Sequence, residues 1–131
     1  MIAPLLILDG GTGRELARSG APFRQPEWSA LALIEGPQFV SAVHRAYVAA
    51  GADVITTNSY AVVPFHIGED RFARHGAELA ALAGRLAREV ADEAHAANGR
   101  KVHVAGSLPP VCGSYRPDLV DLDRHGVLLH T

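Results

Sequence analysis

The chain has 131 residues, 48% of them hydrophobic and 20% charged, enough apolar material for one globular core and too much for a disordered segment. Its 14 acidic and 12 basic residues give a formal charge of -2 and are scattered along the chain, which excludes an electrostatic footprint for nucleic acid or an anionic membrane. A single cysteine, Cys112, excludes an internal disulfide and, with no paired Cys or His at ligand spacing, a zinc knuckle within the chain.

The opening "MIAPLLILDGG" carries no basic leader and only a short apolar run before Asp9. It therefore reads as neither signal peptide nor membrane span, and a cytoplasmic protein is expected. Residues 5–8 (LLIL) predict a first strand buried on both faces, followed by the turn "DGGTG" at 9–13. In "GPQFVSAVHRAYVAAG" (36–51) Phe39 or Val40, Val43 and Tyr47 recur at helical spacing; Pro37 suits the first turn and Gly51 the stop. A second buried strand follows at 53–57 (DVITT) and runs into "TTNSY". From about Ala73 a longer helix is expected, with Leu79, Leu82, Leu86 and Val90 on one face and Asn98-Gly99 as its end. A third strand at 102–105 (VHVA) leads into "GSLPP". Beyond Pro110 the pattern dissolves into turn formers, with a short apolar tail at 127–129.

Strand, helix, strand, helix, strand demands parallel pairing with right-handed crossovers, hence an α/β chain. In such sheets, ligands bind outside the carboxyl ends of the strands. The clusters 9–13, 56–60 and 106–110 all fall at that end, so an acid, hydroxyl and amide side chains and a glycine turn converge on one rim.

Each cluster admits a plainer reading. Asp9 is either a turn or N-cap residue or a carboxylate facing a ligand. "GGTG" lacks both the G-x-G-x-x-G spacing and a G-K-[ST] ending, so a nucleotide-binding module has little support. Thr56 to Tyr60 either cap the following loop or line a pocket. The seven histidines, among them His44, His66 and His95, share no short ligand spacing. Cys112 has nothing near it in sequence to lower its pKa. Trp28 suits a core position or an aromatic wall above a pocket.

Taken together, "LDGGTGRELARSG", "EWSALAL", "VHRAYVAAGADVITTNSY" and "VAGSLPPVCGSYRPD" resemble the homocysteine S-methyltransferase family over residues 5 to about 120. The resemblance implies a (β/α)8 TIM barrel that moves a methyl group, from a donor such as S-methylmethionine or S-adenosylmethionine, to the homocysteine thiol and yields methionine. Carried onto this sequence, Asp9 is similar to the family's aspartate that holds the amino group of homocysteine, with Gly10 and Gly11 bringing backbone close. Thr57 is similar to the threonine at the end of the second strand that lines the same pocket, with Asn58 and Tyr60 beside it, and Trp28 to a loop aromatic near the substrate.

The family activates the thiol with Zn2+ held by three cysteines, one in a Gly-x-Asn-Cys type segment and two in a Gly-Gly-Cys-Cys segment on late strands. Neither segment occurs here, nor does the glutamate of a later strand, so no catalytic or metal-binding residue is assigned and Cys112 is not promoted to a ligand. A complete barrel takes about 250 residues. The expectation is a partial barrel, about the first three strands with two helices, in which 1–131 form the N-terminal part of a homocysteine-binding domain. By itself such a chain is expected to be inactive, its open sheet edges favouring self-association. The alternative is a non-catalytic binding or assembly fragment that needs a partner chain.

Overall fold

The computed structural model describes residues 5–110 and 113–119. Cys112 and the apolar tail at 127–129 lie outside the described residues. The elements run α1 (Thr12–Arg18), α2 (Ser29–Glu35), α3 (Pro37–Ala49), β1 (Val54–Thr56), α4 (Pro64–Ile67), α5 (Glu69–Asn98) and β2 (His103–Ala105), then a 3-10 turn at Pro117–Leu119. β1 and β2 pair in parallel, with Val54 opposite His103, Ile55 opposite Val104 and Thr56 opposite Ala105. Among the described residues no helix is long and apolar enough to cross a membrane.

Both long helices form where their patterns place them. Pro37 opens α3, where its missing N–H costs nothing, and Gly51 follows the helix with φ 110°. Gly99 closes α5 in the left-handed region, φ 75°, its N–H donating to the His95 carbonyl at 2.8 Å. The helix starts at Glu69, earlier than the apolar pattern shows, because Glu69 and Asp70 in its first turn suit the positive end of the helix.

Three short helices, α1, α2 and α4, stand where the sequence reads as loop. They have seven, seven and four residues, too few turns for a 3.6-residue period to show. In α2 the consecutive Ala30, Leu31, Ala32 and Leu33 are all buried, so no polar face marks it as a helix.

The first predicted strand is reduced to an edge. Leu8 forms a parallel bridge to Val54, the Asp53 and Val54 N–H groups donate to the Ile7 carbonyl, and the Asp9 N–H donates to the Val54 carbonyl. Residues 5–8 are 54 to 87% exposed, which corrects the reading of a strand buried on both faces. In the other two, Ile55 at the centre of β1 and Val102 just before β2 are buried, while His103 in β2 is exposed. The reason is one-sided cover: α3 packs on β1 and α5 on β2, and among the described residues no element covers the first segment.

The core lies between the helices and this small sheet. One cluster joins Leu16, Leu33, Val40, Val43 and Leu79; the other joins Ile55, Ala87, Val90, Ala91 and Val102. On α5 the central positions are Leu79, Ala83, Ala87 and Val90, while Leu82 and Leu86 flank them. Alanines at the centre let α3 and α5 approach closely. Burial of Ile55 alone contributes about 1.5–3 kcal/mol.

Candidate functional site

The carboxyl end of the sheet opens into a cavity of about 500 Å3. Its wall is built by the turn after the first segment, the connection from α1 into α2, the stretch from the end of β1 to α4, and the loop after β2. Asp9, Gly10, Trp28, Thr57, Asn58 and Tyr60 all line this cavity. Gly11 does not; it is the N-cap residue of α1 and has no side chain to cap with.

Asp9 takes neither of the plain roles open to it in the sequence. Its Oδ2 accepts from the Thr56 N–H at 2.7 Å and its Oδ1 from the Thr56 hydroxyl at 2.9 Å. The carboxylate thus clamps the first segment to the end of β1 rather than capping α1. A carboxylate has about four lone-pair sites, so accepting two bonds leaves capacity toward the cavity. Gly10 allows a close approach, since a Cβ there would stand 2.9 Å from the Tyr47 hydroxyl oxygen.

The loop after β1 is held by its own polar groups. Thr57 Oγ1 accepts from the Ser107 N–H at 2.9 Å, and Ser59 Oγ donates to the Ser107 carbonyl at 2.8 Å. That fixes the remaining bond: the Thr57 hydroxyl donates to Ser59 Oγ, 2.8 Å away. The Thr57 hydroxyl proton is therefore committed within its own loop, while the bonds of Thr57 and Ser59 to Ser107 tie the two strand-end loops together. Asn58, almost fully buried, donates through Nδ2 to the Ser29 carbonyl at 3.0 Å and anchors the start of α2.

Trp28 sits at φ 49°, ψ -127° as the N-cap residue of α2, a conformation that costs a non-glycine residue roughly 1–3 kcal/mol. Its N–H donates to the Arg24 carbonyl at 2.7 Å, and its ring meets Phe23 edge-on at 5.7 Å. The strained backbone is what turns the indole onto the cavity wall, where it stays 41% exposed.

His66 and Ser114, also on the wall, are not singled out as site residues by the sequence. Both are 5% exposed and they are 2.8 Å apart, His66 Nε2 to Ser114 Oγ; His66 Nδ1 lies 3.0 Å from the Pro26 carbonyl oxygen. The available signal was position: Ser114 belongs to the loop after the third predicted strand, at the ligand end of the sheet. His44, by contrast, is wholly buried on α3, and neither ring nitrogen has a hydrogen-bond partner among the described residues. Burial pushes its pKa down, against a weaker upward pull from the charge of Asp9.

These features define an α/β chain with a largely apolar cavity, carrying a few fixed polar side chains, at the carboxyl ends of parallel strands. Its relatives identify it further. The homocysteine S-methyltransferase family model matches residues 6–125. Homocysteine S-methyltransferase 1 of Zea mays is 34% identical over 119 residues, 88% of this chain and 37% of its own length. Selenocysteine Se-methyltransferase of Brassica oleracea var. italica is 46% identical over 54 residues, 41% of this chain and 16% of its own length. The crystal structure of the homocysteine methyltransferase MmuM from Escherichia coli, metallated form, superposes with a TM-score of 0.75 at 30% identity, covering 94% of this chain and 46% of that one.

The chain belongs to the homocysteine S-methyltransferase family and has a partial TIM-barrel-like fold. It spans 37% of the length of the maize relative. Among the described residues no group of three or more His, Cys, Asp or Glu side chains is placed to hold a metal ion. The described residues therefore do not fit a zinc ligand set of the kind the resemblance implies.

Proposed function

We propose that residues 1–131 are the N-terminal part of a homocysteine-binding domain and supply the amino-acid pocket of a homocysteine S-methyltransferase. The complete protein would transfer a methyl group from a sulfonium donor such as S-methylmethionine or S-adenosylmethionine to the homocysteine thiol. The observation that carries this reading is Asp9, a carboxylate fixed at a strand end on the wall of the cavity. An α-ammonium group docked there makes a charge-assisted hydrogen bond and fixes the orientation of the amino acid. Gly10, Trp28, Thr57, Asn58 and Tyr60 shape the space around it; Gly11 acts only through the turn. Zinc belongs to the complete protein in this reading, and the contribution of the present residues is binding. A cytoplasmic location accords with it.

Titration of L-homocysteine into the chain, followed by calorimetry or NMR, tests the proposal. Saturable binding that weakens about tenfold, or 1.4 kcal/mol, in Asp9→Asn is expected. Equal affinity in the variant, or no binding at all, would refute the role given to Asp9.

The exposed apolar edge at residues 5–8 favours a second reading, an assembly fragment that pairs with another copy or with a chain carrying further strands. An unpaired parallel edge of this kind is a template for strand addition. Sedimentation of the chain and of Ile7→Lys separates the cases: a dimer that Lys abolishes supports assembly, and a monomer in both removes it.

A further inference from the structure

Trp28 holds its place on the cavity wall at φ 49°, ψ -127°. A non-glycine residue persists there only where its surroundings over-determine the conformation. Three hydrogen bonds fix main-chain groups around it: the Trp28 N–H donates to the Arg24 carbonyl, His66 Nδ1 lies 3.0 Å from the Pro26 carbonyl oxygen, and Asn58 Nδ2 donates to the Ser29 carbonyl. Glu27, whose peptide leads into Trp28, is tied through its side chain instead. Its Oε1 accepts from Arg71 Nη1, on α5, at 3.5 Å, across 44 residues of sequence. Its Oε2 is buried and has no hydrogen-bond partner among the described residues. The Glu27 side chain is 15% exposed and that of Arg71 44%, so a largely buried carboxylate is met by a guanidinium reaching in from the surface.

Arg71 stands in the first turn of α5, at the positive end of the helix dipole, where a cation is disfavoured; pairing with Glu27 offsets that cost. The energetics of the pair are lopsided. The bond itself contributes little at a half-exposed site, but a carboxylate left unpaired in the interior costs far more than the bond it lost. Without Arg71, the cheapest relief for Glu27 is to swing into water. That motion rotates the peptide joining Glu27 to Trp28, the unit whose orientation sets φ of Trp28. The strained residue then relaxes to an ordinary conformation and the indole leaves the wall. The Arg24–Glu35 pair in the same stretch, 3.6 Å apart, has both ends well exposed, at 64% and 47%, so breaking it strands no buried charge.

We propose that Glu27 and Arg71, neither of which lines the cavity, are positioning residues: as an ion pair they hold the strained Trp28 on the wall and so raise the affinity of the cavity for its ligand. The placement of the indole is independent of what the cavity binds; the effect on affinity rests on the homocysteine reading above.

Trp28 is the single tryptophan of the chain, so indole signals report it alone. The 131-residue chain is compared with Arg71→Met, with the double variant Arg71→Met, Glu27→Gln, and with Glu35→Gln, by near-ultraviolet circular dichroism and acrylamide quenching of fluorescence. Arg71→Met is expected to lose indole dichroism and gain quenching while its far-ultraviolet spectrum stays that of the wild type. Adding Glu27→Gln restores both signals, because a neutral amide tolerates burial without the guanidinium, and Glu35→Gln changes neither. Homocysteine affinity, read by calorimetry, falls about threefold or more in Arg71→Met and recovers in the double variant. Wild-type indole signals in Arg71→Met, no recovery in the double variant, or an equal loss in Glu35→Gln overturns the proposal. If Arg71→Met does not fold, the double variant decides: folded with wild-type indole signals it supports the proposal, and unfolded it overturns it. An indole that moves while homocysteine affinity stays the same overturns the effect on affinity. Wild-type protein that does not bind homocysteine removes that reading and the effect on affinity with it, while the indole signals still decide whether the pair positions Trp28.

Discussion

Asp9 and Thr56 meet twice: the carboxylate of one accepts both the backbone N–H and the hydroxyl of the other, at 2.7 and 2.9 Å. The pair crosses from the exposed first segment to the end of β1. Asp9→Ala leaves the Thr56 N–H without its charged acceptor and is expected to cost about 1–3 kcal/mol. Thr56→Val removes one bond only and should cost less. A double-mutant cycle by urea unfolding is expected to give a coupling of about 1–2 kcal/mol between them. Additive effects would mean that the clamp contributes nothing and that Asp9 serves the cavity alone.

Close approach of backbone to a ring predicts a second effect. A Cβ on residue 10 would stand 2.9 Å from the Tyr47 hydroxyl oxygen and 3.2 Å from the ring. Tyr47 packs against both core clusters, which limits how far the ring can retreat. Gly10→Ala should therefore lower stability by about 1–3 kcal/mol, as overpacking does. Adding Tyr47→Phe removes the nearest atom and should restore part of the loss; thermal melts of the four proteins decide it.

How much of this was legible beforehand depended on whether the information was local. The ends of α3 and α5 were, because Pro37, Gly51 and Gly99 act through their own backbone preferences. So was the rim of the site: an acid and a hydroxyl-rich run at strand ends locate Asp9 and Thr57 from chain order alone. The exposure of residues 5–8 was hidden, since an apolar run reads the same whether or not another element covers it. Gly11 looked like part of the pocket because it sits in the same turn as Gly10, but α1 begins beside it and faces it away. His66 and Ser114 were missed because 48 residues separate them, and no local pattern announces a hydrogen bond over that distance.

His44 predicts a pH dependence. Its ring is fully buried without a partner for either nitrogen among the described residues, and burial holds its pKa below the ordinary value while the Asp9 charge opposes this only in part. An unfolded imidazole titrates near about 6.5, so below that pH the unfolded chain binds a proton that the folded chain refuses. The stability tied to a neutral His44 is complete above that point and is lost as pH falls from there toward the lower folded value. His44→Leu should abolish this acid arm and hold or raise stability at neutral pH, because it removes orphaned polar atoms from the core. Urea midpoints at pH 5 and 7.5 test it; identical slopes in both proteins would place the dependence elsewhere.

Arg100 carries the last prediction. From beyond α5 its Nη1 donates to the Val48 carbonyl at 2.7 Å, in the last turn of α3, and its Nη2 to the Ala52 carbonyl at 2.7 Å and to Asp53 Oδ1 at 3.3 Å. These carbonyls belong to the end of α3 and the turn after it, where helix acceptors run out of donors. Asp53 in turn accepts from the Ile7 N–H, and that bond, followed by Arg100, holds its carboxyl below the usual range. One guanidinium therefore connects the end of α3, the start of β1 and the exposed first segment. Arg100→Met is expected to cost about 1.5–3 kcal/mol, and Arg100→Lys to recover less than half, because an ammonium cannot reproduce the planar fork. The Arg45–Glu93 pair is also bidentate, at 2.7 and 2.8 Å, but about half of each side chain is in solvent, so Arg45→Met should cost no more than about 1 kcal/mol. For Asp53 the contribution is present above the ordinary carboxyl value near about 3.9 and is lost as pH falls through its lower folded one. Hydrogen exchange gives the discriminating readout: in Arg100→Met the Ile7 amide should exchange faster while the centre of α5 is unchanged. Uniform acceleration along the chain would show that Arg100 acts on global stability and does not tether the first segment.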